Sequence, residues 1–590
     1  MSPVHFDRHK NELILHTDGI ICDTHREILE SEVFERVLAL YIETLRRRDS
    51  PILDSLPMLL GGAEEQARFL ELLRSLTVNP LEQALKITPI FEDTPEKRKG
   101  LLQFIEGLYD FWRKFHRFVI CHSESGPNAH DQRPFRTFNA TVEQLTHLVR
   151  GVYRDVCENI TGDHPRIYRQ IRSGCNMGII AVAKDWNPPR PYGEPLRDIP
   201  FIRQVLVYPP LILDPPMNTR TGQFRKVSEN PLEGITWEKE KWLCYPAQVG
   251  PLVIFIYFHQ CFISLGCCLA NLFELATDEQ IAAGPDAIYA YGAPPEVMAK
   301  YGELPTVFYE DSRNDLLVAA IPGEDRFGYF GYLKKMILTL HNIRMMQRGR
   351  MPFHGAMTRI TLKRDIAANI VLMGDTATGK SETLEAFRSL GAEYIRDMRV
   401  IADDMGSFEV TPDGNVVAYG TEIGAFVRLD DLQQGYAFDQ IDRAIIMSPQ
   451  KVNARVVLPV TTLAEVLHGY TANYIFYANN YEELDEEHHI IDRFETPEAA
   501  LCVFREGAAM AKGTTTSKGL VHSYFANIFG PPQYRDLHDR LAQNTFEAAF
   551  RAGVFVGQIR TRLGVPGCET TGPLEAAKAL LALISKPIQA

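Results

Sequence analysis

A chain of 590 residues, 45% hydrophobic and 23% charged, has the make-up of a globular protein of about three to five domains, which excludes disorder, collagen-like repeats and small disulfide scaffolds. Its 62 Lys and Arg against 75 Asp and Glu give a net charge of −13, so a general nucleic-acid binder, which needs a basic surface, is disfavoured. The ten cysteines form no CxxC pair, which signals neither a zinc site nor a disulfide framework and suits a reducing cytoplasm; the first residues lack the apolar core of a secretory signal.

Residues 1–170 read as a mostly helical domain. Phe34, Val37, Leu38, Tyr41 and Leu45 share one helical face, and that helix stops at the RRRDSP turn before Pro51. A second stripe runs Leu101, Phe104, Ile105, Leu108, Phe111, Phe115, and a third Val142, Leu145, Val149, Val152, Val156 with Asn139 as its N-cap. Around Gly174 short β-type runs begin, separated by turns such as NPPRPYGEP, and 171–325 reads as an α/β domain on the substrate side. Trp242 to Phe273 holds no Asp, Glu, Lys or Arg and is long enough to span a bilayer. His259, Gln260 and Asn271 interrupt it, so a buried strand at Leu252–Phe258 followed by a buried helix at Cys261–Phe273 is the preferred reading. From 326 to 590 strand-like runs alternate with helices, the pattern of an α/β nucleotide-binding domain.

That last region carries the chemistry. Gly374-Asp375-Thr376-Ala377-Thr378-Gly379-Lys380-Ser381 matches GxxxxGK[ST], follows an apolar strand and precedes a helix-like run. This is the context in which backbone N–H groups cradle phosphates, a Lys reaches the outer ones and a hydroxyl ligates Mg²⁺. Downstream, Ile401-Ala402-Asp403-Asp404 is expected to put two carboxylates at the end of an apolar strand, oxygen ligands of the kind a hard cation takes; a surface acidic turn is the alternative. Lys334, Lys335 and His354 acquire meaning only in combination. Alone, the lysines would be a solvated helix face and His354 a satisfied core histidine.

Taken in order, YFGYLKK (329–335), PFHGA (352–356), GDTATGKS (374–381), ADD (402–404) and Asn453-Ala-Arg455-Val-Val-Leu-Pro459 resemble phosphoenolpyruvate carboxykinase, especially its ATP-using branch. The stretch HSYFANIFGPPQYRDLHDRL (522–541) is more loosely similar to that family's end region. The resemblance implies a carboxykinase-like mixed-sheet fold with a phosphate loop. It makes Lys335, His354 and Asp404 ligands of a catalytic Mn²⁺, and gives Lys380 and Ser381 the phosphates of ATP or GTP and a second metal, Mg²⁺ or Mn²⁺. Arg455 would meet the transferring phosphoryl group, with Asp403 and Tyr329 also in the catalytic set. The implied reaction is decarboxylation and phosphorylation of oxaloacetate to phosphoenolpyruvate, with a nucleotide and a small carboxylate as partners and no nucleic acid or membrane.

The family's Asp-Asp-Glu-His-Gly-Trp reads here as Asp403-Asp404-Met405-Gly406-Ser407-Phe408, and its carboxylate-holding Arg segment has no clear counterpart. Thr219-Arg220-Thr-Gly-Gln-Phe-Arg225 supplies the nearest candidates, Arg220 and Arg225, and the discriminator is which of them reaches Tyr329 and Arg455. Two other readings stand beside this one. The loop is also similar to that of HPr kinase, which implies a kinase acting on another small molecule or protein. The third reading is a non-catalytic nucleotide sensor.

Overall fold

The computed structural model describes residues 4–7, 10–17, 22–123, 133–164, 172–183, 186–363, 366–375, 378–390, 394–432, 438–511 and 519–585. It is mixed α/β and divides into two compact units, Met1–Ala183 with Ile202–Tyr208, and Lys184–Phe201 with Pro209–Ala590.

In the first unit the helices Glu32–Arg47, Ala63–Leu76, Pro95–Lys114 and Arg133–Thr161 bury the three apolar stripes in one core, where Leu38 and Tyr41 meet Phe104, Leu108, Leu145 and Val156. The first of these starts where the Ser31 hydroxyl accepts from the Phe34 N–H, and ends on Arg46 and Arg47, whose charge suits the helix C-terminus. Two features correct the sequence reading. Asn139 is not an N-cap: the helix begins at Arg133, and the Asn139 side-chain oxygen instead accepts from Gln204 Nε2 at 3.1 Å. The unit also holds a sheet, in which Glu12–Thr17 pairs antiparallel with Val4–Asp7 and parallel with His116–Ser123, which pairs parallel with Met177–Val182. The run HRFVICHS follows a helix after a single residue, so the helical period hides it, yet Phe118, Val119, Ile120 and Cys121 are all buried.

In the second unit the uncharged run folds into the interior. Trp242–Val249 and Leu252–His259 form an antiparallel hairpin, and the expected helix is a short one, Ile263–Cys267, between two 3₁₀ turns. Asn271, the polar interruption, donates to the carbonyls of Arg443 and Val457, each at 3.0 Å. Among the described residues no helix is long and apolar enough to cross a membrane.

The elements that carry the motifs are helix α1 (Phe330–Gln347), strands β1 (Met351–Leu362) and β2 (Ala367–Met373), helix α2 (Lys380–Leu390), and strands β3 (Ile395–Val410), β4 (Gly424–Arg428) and β5 (Arg455–Pro459). An eight-stranded sheet runs Tyr470–Thr471, Val416–Gly420, β3, β1, β2, Tyr474–Asn479, Phe555–Arg560, Ile491–Arg493. β2 is parallel to Tyr474–Asn479, which is parallel to Phe555–Arg560, whereas β1 is antiparallel to both its neighbours. The sheet is covered on both faces, which is why β2 reads as a continuous apolar run. Its Ile370 and Leu372 pack with Leu384, Phe387 and Leu580, while Val371 and Met373 pack with Phe504, Phe525 and Phe546. β4 and β5 belong to a smaller sheet with Ile445–Met447 and Leu211–Leu213.

Candidate functional site

The antiparallel pairing of β1 with β2 and β3 brings the motifs to one end of the large sheet. Gly355 lies opposite Met373 on one side and Asp404 on the other. The Gly374 N–H, opening the glycine-rich loop, donates to the His354 carbonyl at 3.1 Å. The loop closes onto the first turn of α2, where Lys380 is buried and its Nζ donates to the carbonyls of Gly374 and Asp375 at 2.5 and 2.7 Å. Thr378 Oγ1 donates to the Asp375 carbonyl at 2.8 Å. Gly379 sits at a φ of +89°, and a Cβ there would lie 2.5 Å from Thr561 Oγ1, so this glycine meets both a left-handed backbone and a close wall. Burial draws the Lys380 ammonium below its ordinary range. Thr376, Ala377 and the Ser381 side chain lie outside the described residues.

Asp404 has a φ of +94°, a conformation that a non-glycine residue holds only where its surroundings over-determine it. Successive strand residues would face opposite ways; here both carboxylates of the Asp403–Asp404 pair lie within electrostatic reach of the same two side chains, Lys334 and His354. Asp404 Oδ1 is 3.0 Å from His354 Nε2 and its Oδ2 is 2.8 Å from Lys334 Nζ. Burial works against its charge, but Lys334 and then His354 hold its carboxyl well below the usual carboxylate range. Burial and the Asp404 charge push Asp403 the other way. Lys334, fully buried, also pairs with Glu422 at 3.1 Å, and burial raises the Glu422 carboxyl to about 8 against the pull of that lysine.

Lys335, the next residue on α1, is turned to a different set of neighbours. Its Nζ lies 4.7 Å from the Phe529 ring centre, and burial together with Arg220 lowers it to about 8, Arg455 acting in the same direction. Arg220 is delivered there by two ties. Asn453 Nδ2 donates to the Asn218 carbonyl at 2.6 Å, and the Thr221 N–H donates to the Tyr332 hydroxyl at 3.1 Å. Tyr329 caps α1 with its ring buried, and Arg220 lies within electrostatic reach of it. Arg225 is not brought to this cluster; it sits on the strand Arg225–Val227 with its guanidinium donating to the Tyr301 carbonyl. Of the two arginines considered, Arg220 is the one brought within electrostatic reach of Tyr329 and Lys335.

Sequence reasoning missed several groups here. Phe426 of β4 is the common wall, with its ring centre 5.4 Å from the Arg455 guanidinium, 5.6 Å from Lys334 Nζ and 6.1 Å from the Tyr329 ring. Arg428 lies directly opposite Arg455 across β4 and β5. Arg428 pairs with Asp430 at 2.9 Å, while Arg455 Nε is buried without a hydrogen-bond partner. Phe525, Ala526 and Asn527 form a run of positive φ values that presents the Ala526 carbonyl to His354 Nδ1. The family-like pattern at 522–541 pointed toward this stretch; nothing in the local sequence marks Phe426 or Glu422.

The donor chemistry suits a divalent cation. The Ala526 carbonyl takes the Nδ1 proton of His354, so in the neutral ring the Nε2 lone pair faces a carboxylate oxygen 3.0 Å away. Two acceptors that close require a proton or a cation between them. His354, Asp404 and a lysine already drawn toward neutrality could hold such an ion. Among the described residues no three His, Cys, Asp or Glu side chains converge in that manner, so any metal here depends on the lysine as third donor. The chain matches no family model and no curated protein.

Proposed function

We propose that the chain is a nucleoside-triphosphate-dependent enzyme of the phosphoenolpyruvate carboxykinase kind, converting oxaloacetate to phosphoenolpyruvate. The observation that carries this reading is the meeting of Lys380 and the His354–Asp404 pair at one end of the large sheet with Lys335, a lysine lowered to about 8 that lies within electrostatic reach of Asp404, Arg220 and Arg455. In this reading the loop N–H groups and Lys380 take the nucleotide phosphates, and Arg220 with Tyr329 orients the substrate carboxylate. The C–C bond to the leaving carboxyl breaks, CO₂ departs, and its electron pair remains on the substrate as an enolate. The enolate oxygen then attacks the γ-phosphorus in line, and the nucleoside diphosphate leaves. Arg455 neutralises charge on the transferring phosphoryl group. Mn²⁺ or Mg²⁺ held by Lys335, His354 and Asp404 would supply stabilisation of the enolate oxygen.

The test is an assay of the purified chain with Mn²⁺, oxaloacetate and either ATP or GTP, reading phosphoenolpyruvate. Turnover that disappears in Lys335→Ala and Lys380→Ala supports the reading. Tight Mn²⁺–nucleotide binding without turnover would overturn it in favour of a kinase with another acceptor, or of a sensor.

A further inference from the structure

A second basic recess lies at the far end of the two strands that carry His354 and Asp404. On β1 and β3 the register places Arg359 directly opposite Arg399, five residues from His354 and Asp404 respectively, or roughly 17 Å along each strand. Cross-strand like charges on one face are unfavourable in isolation. A third arginine joins them through a specific device: Thr361 pairs with Asp397 and Leu362 with Ile395, so Arg396 is the extra residue of a β-bulge. Bulges re-aim side chains, and here Arg396 lines the same recess as Arg359 and Arg399, a space of about 510 Å³. His468 and Tyr470 form an aromatic wall, their ring centres 4.6 Å apart.

Two carboxylates share the recess, and both are engaged by one arginine. Arg399 pairs with Asp397 at 2.7 Å and with Glu465 at 3.1 Å, and Glu465 also accepts from the Tyr470 hydroxyl. Arg359 lies over the Tyr470 ring at 5.5 Å and donates to Asn369 Oδ1 at 3.3 Å. Among the described residues, three guanidinium groups and an imidazole thus line the recess beside two acids, an arrangement set by strand register and a bulge.

We propose that this recess binds a phosphorylated small molecule, one bearing a phosphate or pyrophosphate group, at a site separate from the glycine-rich loop. Planar guanidinium forks from neighbouring strands suit the oxygens of such a group, and the volume falls within the range of small-molecule sites.

The probe is inorganic pyrophosphate, titrated calorimetrically into the full chain at fixed salt. Lys380→Ala, which disables the loop, should leave this binding in place. Adding Arg396→Gln to that background should weaken it at least tenfold, whereas adding Asp397→Asn should tighten it by relieving Arg399 of a competing carboxylate. Arg396 is exposed, so its loss does not threaten the fold. Absence of pyrophosphate binding in Lys380→Ala, or binding indifferent to both Arg396→Gln and Asp397→Asn, would overturn the proposal and would leave the carboxykinase reading untouched.

Discussion

Gly379→Ala isolates the geometry of the loop from its charge. The residue sits at a φ of +89°, and the added Cβ would lie 2.5 Å from Oγ1, 2.6 Å from Cβ and 3.0 Å from Cγ2 of Thr561. A left-handed backbone costs a non-glycine residue about 1–2 kcal/mol, and overpacking against a rigid neighbour adds about 1–3 kcal/mol. Thr561 is fully buried and its hydroxyl donates to the Thr378 carbonyl at 2.7 Å, so it cannot simply turn aside. The loop will relax in part, and if about 2–3 kcal/mol of the strain remains, nucleotide affinity falls roughly 30- to 150-fold at 1.4 kcal/mol per tenfold. The assay is titration of a fluorescent nucleotide analogue, with circular dichroism to establish that the fold persists. Thr561→Ser removes only the most distant of the three contacts and should not rescue, whereas Thr561→Gly removes all three and should restore part of the loss. Gly379→Ala binding within threefold of the unaltered chain would refute the steric argument. Failure of the unaltered chain to bind nucleotide would refute the functional reading instead.

Other expectations follow from the same site. Glu422, raised to about 8, then stands as a neutral acceptor at pH 7, so Glu422→Gln should cost under about 1 kcal/mol in urea unfolding, while Glu422→Ala, which leaves Lys334 without that buried acceptor, should cost about 1–3 kcal/mol; a large loss in the Gln variant would contradict the assignment. Arg455→Lys should lose most of the turnover, because a point charge does not replace a planar fork on a phosphoryl group, and a nearly full rate would remove Arg455 from the mechanism. Burial lowers His341 and His538 from 6.5 to about 4. The unfolded chain therefore binds more protons between those values, and stability should fall as pH drops from about 6.5 toward 4, by about 3 kcal/mol for each histidine. Unfolding measured across that range should show the slope, and His341→Leu should halve this pair's share of it; a flat profile would contradict their burial in neutral form.

The parts of the site legible in the sequence are those whose chemistry demands a particular spacing along the chain. The loop from Gly374 to Ser381 is local and carries its own context; Asp403-Asp404 was noticeable as a carboxylate pair, but it lies inside β3, which continues to Val410, rather than at the end of an apolar strand as expected. Lys335, His354 and Arg455 needed an ordered set of motifs to be noticed, and Arg220 was separable from Arg225 only by the ties that hold Asn218 and Thr221. Glu422 and Phe426 were not legible, because their importance lies in what packs on them from α1 and β5 rather than in any pattern of neighbours. Backbone conformation was equally hidden: nothing about Asp404 or the 525–527 turn announces a positive φ. In the first unit, the helical stripes were plain because amphipathic periodicity is strong over four turns, while strands of four to eight residues gave too short a window to compete.

The order in which the sheet is assembled bears on how the chain must be made. β2, which leads into the glycine-rich loop, takes Tyr474–Asn479 as its second neighbour, and that strand in turn takes Phe555–Arg560; His354 relies on the carbonyl of Ala526. A ribosome adding about 5–20 residues per second therefore exposes the open edge of β2 for roughly five to twenty seconds before its partner is even translated. Interruption of synthesis anywhere between β2 and Ala526 leaves a loop with no competent site and a strand edge available to other chains. Chaperone capture of nascent chains should accordingly peak in this interval and fall once the last hundred residues have emerged.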